Sequence, residues 1–191
     1  MRLTEQVHRE LEKAIRPGDT AIDATAGNGH DTQAMARLVG SSGKVIAIDL
    51  QAAAIASTRS RLRQSGQLAV CELIEGNHAN ILHALLPEHR ASIAAITFNL
   101  GYLPGGEKTV TTSAISTLRA LDATISLLKA AGILLVTAYR GHSGGLTEAN
   151  EVATWMRTLS HEDWKVELRE PPTRHPDRVP PILWIASKLR H

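Results

Sequence analysis

Cysteine, aromatic residues and long apolar runs are all scarce in this 191-residue chain. The single cysteine, Cys71, excludes an internal disulfide and any multi-cysteine zinc site, and suits a reducing cytoplasm. Aromatics are 3% of the residues, too few for a broad stacking platform for single-stranded nucleic acid, so base stacking must fall to one or two rings. No apolar run approaches the roughly 18 residues that span a bilayer. The charged, helix-patterned start MRLTEQVHRELEKAIRPGD is not that of a signal peptide. Polybasic tracts are missing too. The formal net charge of +2 mildly favours an anionic partner without making a nucleic-acid-binding tail. With no linker, repeat or low-complexity tract, residues 1–191 read as one domain.

What the chain does have is alternation. Leu3, Val7, Leu11 and Ile15 recur every four residues, an amphipathic helix that ends at Pro17-Gly18. Six short apolar segments follow: 20-TAIDA-24, 44-KVIAIDL-50, 68-LAVCELI-74, 92-SIAAITF-98, 132-GILLVTAY-139 and 182-ILWIASKL-189, with a weaker alternating piece at 163-DWKVELRE-170. Helical stretches separate them at about 30–39, 51–65, 77–86, 112–130 and 147–159. This order predicts an α/β fold, an open, mostly parallel sheet with helices on both faces. The last two strands have only PPTRHPDRVPP between them, which predicts an antiparallel pair at the sheet edge.

In such sheets ligands bind beyond the carboxyl ends of the strands, so the residues at those ends matter most. The first strand runs into 22-IDATAGNGHDT-32. Gly27 and Gly29 allow a tight turn and close backbone approach, and the following helix start offers N–H groups to a ligand. Thr32 stands where a dinucleotide fingerprint wants a third glycine. Asp23 and Asp31 flank the turn, repelling a pyrophosphate and welcoming an ammonium; the alternative is a structural turn capped by Asn28 or Asp31. Asp49 closes the second strand, where it suits ribose hydroxyls or a helix N-cap. Asn77 and His78, after the third strand, suit an adenine edge or another helix cap.

The fourth strand ends in 98-FNLGYLPGG-106. Asn99 and Tyr102 have the spacing of the Asn-Pro-Pro-Tyr loop of amino-methylating enzymes, with Leu100 and Gly101 in place of the prolines. An amine nucleophile needs an acceptor to orient its N–H groups, and an aromatic ring can hold a base for in-line attack. A glycine-rich connector with a buried tyrosine is the alternative. After the fifth strand, 138-AYRGHSGG-145 brings Tyr139, Arg140 for a phosphate and His142 for a proton, or else a solvated loop. The 59-RSRLR-63 cluster reads as a solvated helix face, and the basic residues of 169-REPPTRHPDR-178 as further phosphate contacts. No cluster suggests a metal.

Together DATAGNGHDT, FNLGYLPGG and YRGH resemble the YtqB-type "putative rRNA methylase" family of class I S-adenosylmethionine-dependent methyltransferases. The resemblance runs from about residue 4 to 188. It implies a Rossmann-like, seven-stranded sheet whose last strand is antiparallel, a cytoplasmic homodimer, and S-adenosylmethionine as cofactor. It further implies methylation of the aminomethyl group of 5-aminomethyl-2-thiouridine at the wobble position of a tRNA anticodon stem-loop, with rRNA methylation as the older alternative. The cofactor residues it implies are Asp23, Gly27, Asn28, Gly29 and Asp31 for the methionine end, Asp49 for the ribose, and Asn77 and His78 for adenine. Asn99, Tyr102 and His142 fall on the reaction side, with Tyr139 and Arg140 beside the substrate. A nicotinamide-dependent oxidoreductase and a non-catalytic RNA-binding module are the more distant readings.

Overall fold

A computed structural model describes residues 2–101, 112–171 and 179–190. The apolar runs become seven strands: β1 (Thr20–Asp23), β2 (Lys44–Asp49), β3 (Cys71–Glu75), β4 (Ile93–Leu100), β5 (Leu128–Ala138), β6 (Trp164–Arg169) and β7 (Ile182–Lys188). The helices are α1 (Leu3–Ala14), α2 (His30–Val39), α3 (Ala52–Gln64), α4 (His78–His89), α5 (Ala114–Leu127) and α6 (Gly145–Thr158). The strands form one sheet in the order β3-β2-β1-β4-β5-β7-β6. β1 to β5 pair in parallel, while β7 runs antiparallel to both β5 and β6. The expected antiparallel edge pair is therefore present. β7, the last strand in sequence, is inserted inside β6.

Both faces of the sheet are covered because both carry apolar side chains. On one face Val7, Leu11 and Ile15 of the first helical segment join Met35, Val39 and Leu62 over Ala21, Val45, Leu135 and Ile185. On the other, Leu82, Leu121, Leu127, Val152 and Met156 pack over Ile22, Ile46, Phe98, Val136 and Trp184. Fully burying one such aliphatic side chain contributes about 1.5–3 kcal/mol, which is why the central strands read as unbroken apolar runs.

Some element bounds differ from the sequence reading. Residues 68–70 form a short 3-10 turn, and β3 begins at Cys71. α4 continues past Pro87, whose ring removes one late hydrogen bond without ending the helix at once. β5 begins at Leu128 and bulges. Leu128 pairs with Ile93 and Ile133 with Ala95, and Ala131 between them adopts φ 60°. β4 reaches Leu100, so Asn99 lies inside the strand, opposite Thr137, instead of following it. Beyond it Gly101 and Thr112 close a neck. Gly101 N–H donates to the Thr112 hydroxyl at 3.1 Å, and Thr112 N–H donates back to the Gly101 carbonyl at 3.1 Å. The Thr112 hydroxyl in turn donates to buried Glu148 of α6 at 2.6 Å.

Candidate functional site

β1 and β4 are neighbours whose onward connections diverge to opposite sides, the place where such sheets open a crevice. The glycine turn after β1 is laid across the strand ends. Ala24 N–H donates to the Thr97 carbonyl, Ala26 N–H to the Ile48 carbonyl, and Gly27 N–H to Asp49 Oδ2 at 2.9 Å. α3 grips the turn from outside. Thr58 Oγ1 donates to the Gly27 carbonyl, Arg61 Nε to the Asn28 carbonyl at 2.6 Å, and Ser57 Oγ to Asn28 Oδ1. Arg61 thus corrects the reading of 59–63 as a wholly solvated face: it braces the glycine turn and also meets His30 Nε2 at 3.2 Å.

Three of the carboxylates at this end of the sheet, Asp23, Asp31 and Asp49, sit in different surroundings. Asp23 has no exposed surface and accepts hydrogen bonds from the hydroxyls of Thr32, at 2.6 Å, and Thr97, at 3.3 Å. Burial lifts its carboxyl to about 7, with the negative charge of Asp31 adding to the rise and the Thr32 hydrogen bond opposing it. Thr32, read as a missing glycine, is the residue that serves this buried acid. Asp49 stays half-buried and accepts the backbone N–H groups of Gly27 and Gln51. Leu50, directly after it, is an apolar residue 55% exposed at the strand end, and its position after the acid was the signal available in sequence.

Asp31, in the first turn of α2, is nearly buried and links two distant residues. Its Oδ1 is 2.8 Å from His8 Nε2, and its Oδ2 accepts from Asn99 Nδ2 at 2.8 Å. Asn99 is held a second time, its backbone N–H donating to Thr25 Oγ1 at 2.6 Å. His8 escaped sequence reasoning because on α1 it is one polar residue beside the apolar stripe. The Tyr139 hydroxyl shares this region: burial raises its pKa, and the charge of Asp31 raises it further.

The remaining candidates divide between the crevice and the scaffold. Asn77 caps α4, accepting from the Ala79 N–H at 2.9 Å. His78 is buried edge-on against Phe98, ring centroids 5.7 Å apart, and burial pushes its imidazole down to about 4. Its Nε2 is buried without a hydrogen-bond partner among the described residues. His142 Nδ1 lies 3.0 Å from the Ser143 carbonyl. A Cβ built on Gly101 would stand 3.3 Å from Tyr139 Cβ and 3.6 Å from His142 Nε2, so these two side chains close on the end of β4. Arg140 is turned to the start of β7. Its Nε donates to the Pro180 carbonyl, and its Nη1 is 3.6 Å from Glu170. Tyr102 and the basic residues of 172–178 lie outside the described residues. Among the described residues no group of three or more His, Cys, Asp or Glu could hold a metal ion, and no helix is long and apolar enough to cross a membrane.

Comparison with known proteins agrees with this fold. The model of the family described as "Putative rRNA methylase" matches residues 45–186. A second, for protein-L-isoaspartate(D-aspartate) O-methyltransferase, matches residues 4–80 and stops before β4. The chain is 40% identical over 170 residues to the chloroplastic tRNA (mnm(5)s(2)U34)-methyltransferase of Arabidopsis thaliana; the match covers 84% of this chain and 61% of the plant protein. Two solved structures are each 32% identical. The "putative rRNA-methylase" of Clostridium thermocellum superposes with a TM-score of 0.88, covering 97% of this chain and 96% of its own. A "putative methyltransferase" of Streptococcus mutans, solved in complex with SAH, gives 0.85 and covers 99% of both chains.

Proposed function

This chain belongs to the family described as "Putative rRNA methylase", methyltransferases of the class I, S-adenosylmethionine-dependent fold, and with the plant tRNA methyltransferase among its relatives we propose that it methylates tRNA. We infer that the acceptor is the aminomethyl group of 5-aminomethyl-(2-thio)uridine at the wobble position and the product its 5-methylaminomethyl form. The plant relative, named for that wobble product, supports this substrate, although the chain spans 61% of its length. The observation that carries the reading is Asn99 at the end of β4, its carboxamide fastened to Asp31 and its backbone N–H to the Thr25 hydroxyl. An ionised carboxylate only accepts, so Asn99 gives it the amide nitrogen and keeps Oδ1 as an acceptor for an amine N–H.

The crevice fits S-adenosylmethionine. Each oxygen of Asp49 accepts one backbone N–H and retains a second lone pair for a ribose hydroxyl. The Nε2 of neutral His78, without a hydrogen-bond partner among the described residues, suits a polar edge of the base, and exposed Leu50 its apolar face. Asp31 and Asp49 give the site the negative charge that a sulfonium and an ammonium require. Asp23 contributes from beneath, through the packing of the turn.

When bound, the cofactor supplies a methyl group already activated on sulfur, so the protein's task is to position the nucleophile. An alkylammonium has no lone pair and must lose a proton first. In our reading His142 accepts it. Its Nδ1–H donates to the Ser143 carbonyl, and its Nε2 lies beside Gly101 at the end of β4. Tyr139, 44% exposed, and Tyr102 would hold the base. A cytoplasmic homodimer belongs to the same proposal, and sedimentation velocity tests the dimer. The substrate is tested by nucleoside mass profiles from cells lacking the protein. Accumulated aminomethyl-uridine in tRNA, with rRNA methylation unchanged, is the expected result; lost rRNA methylation with normal tRNA would refute it.

A further inference from the structure

His8 has no part in the chemistry above, yet it completes a chain into the site. The chain runs from His8 on α1, through Asp31 on α2, to Asn99 on β4, with both links 2.8 Å long. The His8 side chain is 33% exposed and that of Asp31 only 8%, so the chain passes from solvent into the protein beneath the reaction-side amide. A carboxamide is nearly symmetric in shape, and the partner of each end decides which way it points. The Asp31 carboxylate can only accept, so Asn99 must offer it nitrogen. Were Asp31 to swing away, the carboxamide could turn over and present N–H groups where the amine needs an acceptor.

We propose that His8 is a positioning residue: by donating to Asp31 it holds that carboxylate in place, and so keeps the Asn99 carbonyl oxygen toward the nucleophile. The inference rests on the reaction-side role given to Asn99 above. The charges around His8 favour a donor. Asp31 and Glu12 raise its pKa against the opposing effects of burial and Arg37, and His30 is a further titratable neighbour.

The test compares wild type, His8→Ala and His8→Gln, whose amide N–H can reach Asp31. tRNA from cells lacking the protein is the substrate, and S-adenosylhomocysteine binding is measured by calorimetry. His8→Ala should lower kcat about tenfold or more, the scale of one hydrogen bond to a charged group, while cofactor affinity holds. His8→Gln should recover most of the turnover. The side-chain amide resonances of Asn99, assigned by their loss in Asn99→Asp, should move in His8→Ala and return in His8→Gln. Unmoved resonances or unchanged turnover in His8→Ala would overturn the proposal. So would a matching loss of cofactor affinity, or a His8→Gln variant as slow as His8→Ala. If wild type does not methylate the tRNA, the substrate reading fails, and the amide resonances still decide whether His8 governs Asn99.

Discussion

At the scale of single residues, the site depends on which hydrogen-bonding atoms each side chain has left after the scaffold has used the others. Asn99 gives its backbone N–H to Thr25 and one amide N–H to Asp31, so truncating it removes an acceptor without exposing a cavity in either core. Asn99→Ala should lower kcat by about a hundredfold, the scale of a misplaced nucleophile, and leave S-adenosylhomocysteine affinity unchanged in calorimetry. Equal losses in both would assign Asn99 to the scaffold. Asp23 makes the opposite case. Its carboxyl is lifted to about 7 in the folded protein, whereas in the unfolded chain it has the ordinary aspartate value of 3.8. Between those values the folded state holds a proton that the unfolded state has released, so stability falls as pH rises through the window and levels off above it. His78, lowered to about 4, acts in the other sense, costing stability as pH falls below its ordinary 6.5. Asp23→Asn removes the first effect and leaves the second. Its melting temperature relative to wild type should therefore climb from about pH 4 to about pH 7 and then plateau; a flat difference would mean that Asp23 holds no proton there.

At the scale of elements, the glycine turn is held by its neighbours more than by itself. Gly29 opens α2 at φ 76°, and a Cβ there would stand 2.9 Å from both Cα and Oγ1 of Thr58 on α3. Because one of those atoms is backbone, α3 itself would have to move. Gly29→Ala should cost roughly 2 kcal/mol or more in denaturant unfolding, combining left-handed strain with overpacking, and should weaken cofactor binding as the turn shifts. Undiminished stability would mean that α3 yields freely. The glycines and the helix after them were legible in the sequence, since turn chemistry acts over a few residues. The bulge at Lys129–Gly132 was not, because the pairing of Leu128 with Ile93 is a tertiary contact.

At the scale of the whole molecule, the strand order places β1 between β2 and β4, which brings Asp49, the glycine turn and Asn99 to one crevice. A ligand bound across three strand ends is bound by the folded state alone. S-adenosylhomocysteine at a hundred times its dissociation constant should therefore stabilise the protein by about 2.7 kcal/mol. In thermal melts it should raise the transition, and NADH should not. A shift with NADH alone would revive the oxidoreductase reading. In Asp49→Ala the same shift should require more ligand, because the acceptor we propose for the ribose is gone.

The sequence by itself determined the alternation of strands and helices, the antiparallel pair at the edge, and the residue types standing at the strand ends. Those are short-range properties, fixed by side-chain periodicity and by the chemistry of turns. Only the tertiary structure decided which of those residues meet. His8 and Asp31 are 23 residues apart, Asn28 and Arg61 33, Asp31 and Asn99 68. Thr32 and Arg61, which looked like a missing glycine and a solvated charge, became the partner of a buried acid and the brace of the glycine turn. Each pairing depends on how a helix crosses the sheet, and that crossing is set by burial of both faces at once, which no local spacing records.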